Sequence, residues 1–196
     1  MSFLRTDYID KSVLRELCSR MGYENSLVIL LSLETGLRVS DCLSLKADDL
    51  KDNIIFFTAS KTGKSGKKKI SSDLAKRLRK ISGKEWIFEG RSGDKPRTRQ
   101  AVFIDLKRAV RVLGINENVA PHSARKIYAV ELYRRLGLNA VQDELQHDNP
   151  STTVLYALSD KLSDSNNVVP LHELPPWAGA FAELVAEKVV EKMQKK

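Results

Sequence analysis

The sequence predicts an α+β fold, mostly helical, with a small antiparallel three-stranded sheet confined to the middle of the chain. Two observations carry this. Apolar residues recur at helical spacing on both sides of the centre, whereas 53–59 is a short run rich in β-branched and aromatic residues, followed by the glycine-punctuated KTGKSGKKK. Length and composition agree, since 196 residues with 42% hydrophobic and 30% charged side chains make one domain able to bury a core.

The elements follow in order. From Asp10 to Met21 the row Val13, Leu14, Leu17, Met21 marks a helix, with Asp10 and Ser12 as caps and Gly22 as its stop. Asn25 or Ser26 is placed to cap a second, very apolar helix through Leu33 that Gly36 ends, and a short third helix runs from Ser40 to Leu45. Asn53 to Ala59 predicts a strand, the lysine-rich segment with two glycines a hairpin tip, and Ile70 the resumption of an extended strand. Ser72 to Ile81 reads as helix and Glu85 to Phe88 as the third strand, and GRSGDKPRT reads as loop. Helices are expected over Thr98 to Leu113, from Ser123 to a stop at Gly137, near Leu145, and from Ser151 to Leu158. Residues 159–177 suit a linker. Phe181, Val185, Val189 and Met193 form an i, i+4 row on a terminal helix within 178–196.

Charge and cysteine content narrow the classes of function. Lys plus Arg number 33 against 25 Asp plus Glu, a balance of +8, which favours polyanionic partners. The amino end carries acids where a signal peptide needs an apolar run, and the longest apolar stretch, near Leu27 to Leu33, is far too short to span a bilayer. Cys18 and Cys42 lie among periodic apolar residues without zinc-ligand spacing, so both read as reduced, packed thiols of an intracellular protein.

Several polar residues exceed what a plain helical domain requires. Arg38 follows Gly36 at a tight turn, His122 and Arg125 sit at i, i+3 in PHSAR, His147 precedes a DNP turn, Tyr156 lies in STTVLYAL, and Lys61 flanks the hairpin glycines. Each alone has an ordinary reading: Arg38 pairing with Asp41, the histidines capping or packed, Tyr156 in the core, Lys61 solvated.

Their order is more specific. Arg, hairpin Lys, His-x-x-Arg, His, and Tyr nine residues later resemble the pattern of the tyrosine recombinase (phage integrase) family. TGLRVSDCLSLKADDL resembles its first arginine segment, SKTGK its catalytic-lysine hairpin and LQHDNPSTTVLY its histidine-to-tyrosine segment. The resemblance covers Ile9 to about Leu158 and implies that family's catalytic-domain fold over 1–158. It also implies that the family's usual amino-terminal DNA-clamping domain is absent from this chain.

The resemblance implies a site-specific recombinase that cleaves and rejoins DNA through a 3′-phosphotyrosyl bond, without metal or nucleotide cofactor. Tyr156 would be the nucleophile, Arg38, Arg125 and His147 the phosphate ligands, His122 the base, Lys61 the general acid and Asp41 the residue orienting its neighbours. The chemistry agrees. Arginine forks stabilise the charge gathering on phosphate oxygens, and a phenol of reference pKa near 10 needs a base to become a nucleophile. No P-loop motif or carboxylate cluster suggests another route.

Lys64, Lys67, Lys68 and Lys69 are expected to contact DNA phosphates, a solvated face being the ordinary alternative. The implied partners are duplex DNA and other copies of the chain in a tetrameric synapse, with a monomer in free solution as one option. The terminal helix would dock on its own core or on a neighbouring protomer. The implied location is cytoplasmic and DNA-associated. A type IB topoisomerase, a DNA-binding regulator on the same fold, and a basic RNA-binding module remain as alternatives.

Overall fold

A computed structural model describes residues 9–145. In order, the elements are α1 (Lys11–Ser19), α2 (Tyr23–Thr35), α3 (Val39–Leu43), a 3-10 turn (Ala47–Asp49), β1 (Leu50–Lys51), β2 (Ile54–Thr58), β3 (Ser65–Lys69), α4 (Ser72–Ile81), α5 (Arg99–Val112) and α6 (His122–Leu145). The chain divides into two compact units, Met1–Glu131 and Leu132–Lys196. In the second, Leu132 and Val141 on α6 are buried. The expected linker, terminal helix and 151–158 helix lie outside the described residues.

The first unit is organised around α2, which packs against α1, α3, α4 and α5. Neighbours on so many sides explain its nearly continuous apolar sequence, with Leu27, Val28, Ile29 and Leu31 fully buried. Each such side chain contributes about 1.5–3 kcal/mol through burial. Its buried hydroxyls are satisfied locally: Ser26 donates to the Tyr23 carbonyl (2.7 Å) and Thr35 to the Leu31 carbonyl (2.6 Å). Neither Asn25 nor Ser26 caps this helix, because it begins at Tyr23 after Gly22. Instead Asp105 of α5 accepts from the Gly22 N–H (2.7 Å) and from Asn25 Nδ2 (2.8 Å), so a carboxylate 80 residues from Asn25 organises the helix start. Burial raises the Asp105 pKa, but hydrogen bonds from Asn25, Gly22 and Arg108 outweigh it and hold the carboxyl below its ordinary value.

The sheet has order β1-β2-β3 and is antiparallel throughout. Its third strand is Leu50–Lys51, not Glu85 to Phe88. Asp52, with φ 51°, turns the chain tightly so that Leu50 pairs with Ile55 and Lys51 with Ile54. The 85–88 segment forms a single bridge, Trp86 to Lys46, and its apolar character reflects burial of Ile87 and Phe88 in the core. The return strand also begins earlier than expected. It consists of Ser65–Lys69, residues expected in the tip, and stops before the buried Ile70. Gly66 makes this workable, since a Cβ there would come within 2.9 Å of the Phe57 ring across the pair.

The helices α4 and α5 match their expected spans, each with a side-chain cap: Ser71 accepts from the Leu74 N–H (3.2 Å) and Thr98 from the Ala101 N–H (3.1 Å). Helix α6 runs through Gly137 to Leu145 instead of stopping at the glycine. A mid-helix glycine costs about 1 kcal/mol relative to alanine, too little to end a helix with hydrogen-bonded turns on both sides. Cys18 and Cys42 are free and buried. Burial pushes the Cys18 thiol up to about 12; at Cys42 burial and the neighbouring Asp41 carboxylate also raise the thiol pKa, against a smaller lowering by Arg125.

Candidate active site

The turn between α2 and α3 is fastened from several directions. Gly36 takes φ 70° to end α2, and its N–H donates to the Ser32 carbonyl at 2.9 Å. Ser32 Oγ, fully buried, donates to the Leu37 carbonyl at 2.7 Å. From α6, the Arg125 guanidinium donates to the Gly36 carbonyl. Arg38 then occupies the position just before α3 in extended conformation, its side chain 25% exposed. A cation is thus held at a fixed turn without being sealed into the core.

Arg38, His122 and Arg125 line one cleft of about 740 Å³. His122 and Arg125 reach it together because they are three residues apart on the first turn of α6, as the i, i+3 spacing requires. The Arg125 side chain is almost wholly buried. His122 is exposed as a residue, yet its imidazole is partly withdrawn from water where it lines the cleft. That desolvation, followed by the fields of Arg125, Lys126, Arg38 and Arg99, pushes the imidazole down to about 4. At neutral pH the ring is therefore uncharged and able to accept a proton.

Asp41 is 1% exposed and serves two partners. One oxygen lies 4.0 Å from Arg38, at the long end of an ion pair. The other accepts from Ser60 twice, from its N–H at 3.1 Å and its hydroxyl at 2.5 Å. Asp41 therefore ties α3 to the hairpin tip as well as facing Arg38.

The tip spans 59–64, closed by Thr62 and Gly63 N–H bonds to the Ala59 carbonyl, with Gly63 at φ 67°. Lys61, the residue after Ser60, is exposed there and does not line the cleft. The lysines beyond are divided by the pleat. Lys67 and Lys69 pair with Phe56 and Ile54 and are exposed, as is Lys64 before the strand. Lys68 pairs with Ile55 on the opposite, core-facing side. His147 and Tyr156 lie outside the described residues.

The structure adds residues that sequence reasoning passed over. Arg99, Gln100 and Phe103 of α5 line the same cleft, as does Ser40. A signal existed for Arg99, because a helix N-terminus favours acids, and the first turn of α5 has none. A basic residue in that position suits an anion in front of the helix. Among the described residues no group of three or more His, Cys, Asp or Glu is placed to hold a metal ion, and no helix is long and apolar enough to cross a membrane.

Residues 7–162 match the model of the phage integrase family. The chain belongs to this family. Among curated members, it is 28% identical over 156 residues to the tyrosine recombinase XerD of Staphylococcus haemolyticus, covering 72% of this chain and 52% of that protein. It is 30% identical over 162 residues to a tyrosine recombinase of Thermosipho africanus, covering 76% of this chain and 56% of that one. The chain thus spans about half the length of the curated relatives it matches. Solved structures share the fold: a lambda integrase dimer bound to a COC′ core site (TM-score 0.69, 19% identity, 87% of this chain and 65% of that one) and XerA recombinase (TM-score 0.63, 19% identity, 85% and 68%). The mostly helical architecture with a small antiparallel three-stranded sheet is that of the family's catalytic domain.

Proposed function

We propose that this chain is the catalytic part of a site-specific DNA recombinase that breaks and rejoins strands through a 3′-phosphotyrosyl intermediate. The observation that carries the reading is the convergence of Arg38, Arg125 and an uncharged His122 on one cleft. Two guanidiniums match the non-bridging oxygens of a phosphodiester, whose charge grows as a nucleophile adds. Arg125 anchors itself on the Gly36 carbonyl and Arg38 stands on the turn thereby held, so their spacing is set before substrate arrives.

Tyr156 is assigned as the nucleophile. Its phenolic oxygen forms a bond to phosphorus, its proton passes to His122, and the bond from phosphorus to the 5′ oxygen breaks. Lys61 supplies the proton that this oxygen needs, leaving a 5′ hydroxyl and a phosphotyrosine. The reverse exchange restores both protons and reseals a strand. A bound phosphate would also counter the cations around His122 and raise its proton affinity, so substrate itself would prepare the base. His147 is assigned a hydrogen bond to the phosphate, and Arg99 a contact to the neighbouring backbone.

Lys64 at the hairpin tip and Lys67 and Lys69 on the exposed side of β3 are assigned to DNA phosphates. Duplex DNA and further copies of the chain in a synapse are the proposed partners, with 178–196, after a linker over 159–177, docking on its own core or on a neighbouring protomer. The test is capture of a covalent adduct on a nicked duplex, whose cleavage releases a short strand and prevents religation. Wild type is expected to yield a protease-sensitive protein–DNA adduct, and Tyr156→Phe to yield none while binding DNA nearly as well. An undiminished adduct in Tyr156→Phe would assign the nucleophile elsewhere.

A further inference from the structure

The hairpin that presents Lys61 is held at two places. At its tip, Ser60 donates twice to Asp41. The second lies on the return strand. Lys68, unlike Lys67 and Lys69, falls on the core-facing side of the sheet, and its Nζ stands 5.7 Å from the centre of the Tyr128 ring. That is within the range of a cation–π contact. Tyr128 belongs to α6, three residues beyond Arg125 and six beyond His122. One contact therefore joins the strand leading from Lys61 to the helix that supplies two cleft residues.

We propose that Lys68 and Tyr128 form a clamp that sets the Lys61 hairpin against α6, making Lys68 a positioning residue and not a phosphate contact. The inference rests on the reading of Lys61 as general acid. Lys68 points to the wrong side of β3 to share a DNA surface with Lys67 and Lys69, and for a half-buried lysine on a core-facing side an aromatic face offsets part of the lost contact with solvent. Two fixations are also what a general acid on an exposed tip requires. The Asp41 bonds fix where the tip begins, whereas the clamp fixes the angle at which β3 leaves it.

Leaving-group chemistry separates the possibilities. Single-turnover cleavage of a nicked duplex would be measured with the ordinary 5′ bridging oxygen and with sulfur in its place, since a thiolate departs without a proton. Lys68→Met keeps the aliphatic stem and removes the charge; Tyr128→Leu removes the ring. Each is expected to slow the oxygen substrate about fivefold, the scale of one cation–π contact, and to cleave the sulfur substrate at nearly the wild-type rate. The double variant should be no slower than either single one, and Lys68→Arg and Tyr128→Phe, which keep cation and ring, should retain most of the rate. The slope of DNA affinity against salt should not change in Lys68→Met.

Equal defects on both substrates, a normal rate on oxygen, or a salt slope reduced as far as in Lys67→Gln would each overturn the clamp. Lys61→Ala is the control. Sulfur rescue there without rescue in Lys68→Met refutes the clamp alone, and no rescue in Lys61→Ala refutes the general-acid reading and the clamp together.

Discussion

His122 is the residue whose environment makes the sharpest claim. Its ring is pushed from 6.5 to about 4 by desolvation and by four surrounding cations, so between those values the unfolded chain binds the proton and the folded one does not. Stability from this group is therefore complete above about pH 6.5 and is lost as pH falls towards 4. The chain has three histidines, which keeps the imidazole resonances few enough to assign with a His122→Asn control. One is expected to titrate near pH 4 and to move upward when duplex DNA is added; a midpoint near 6.5 in the free protein would remove the cationic cleft from the account. The two arginines should behave differently. Arg125 is buried and donates to the Gly36 carbonyl, so Arg125→Ala should cost about 1–3 kcal/mol of stability as well as cleavage rate. Arg38→Ala, at a partly exposed position, should leave the melting temperature nearly unchanged while slowing cleavage by ~10²-fold or more. Thermal melts beside single-turnover rates would distinguish them.

At the scale of elements, the hairpin depends on a glycine for reasons of space. A Cβ at Gly66 would approach the Phe57 ring to 2.9 Å, and Phe57 is buried. Gly66→Val is therefore expected to displace that ring and to destabilise the β2–β3 pair by about 1–3 kcal/mol, read as a lower midpoint in urea. Gly63→Val, with nothing within 4 Å but φ at 67°, should be destabilising through backbone strain instead. Elements were legible where their determinants were local. Ser71 and Thr98 cap α4 and α5 beside periodic apolar rows, and both spans match. The start of α2 was hidden because its organiser, Asp105, is remote in sequence. Strand β1 has two residues, too few for any alternation to show, and Ile87 with Phe88 imitated a strand because both are core. In the cleft, Arg38, His122 and Arg125 stood out by order and spacing. The partnership of Asp41 with Ser60 did not, since it depends on where the hairpin folds back.

The whole molecule carries a surplus of eight positive charges, and the fold decides which of them act together. Lys67 and Lys69 share one side of the hairpin and Lys64 is exposed at its tip, whereas Arg38, Arg99 and Arg125 meet in the cleft. Binding of DNA by the first group releases counterions, so affinity should fall with salt by about 0.9 in log–log slope for each phosphate neutralised. Replacing the three lysines together with glutamine should reduce that slope by up to about 2.7 while leaving His122 and its low titration intact, because none of the three is among the cations that depress it. Replacing Arg99 should do the reverse in part: about one phosphate less in the slope, and a rise in the His122 midpoint as one neighbouring charge is lost. Fluorescence anisotropy across a salt series, with the histidine titration of each variant, reads both effects. A slope unmoved by the lysine replacement would make the hairpin charges a solvated face, and a His122 midpoint unmoved by Arg99→Gln would detach α5 from the electrostatics of the cleft.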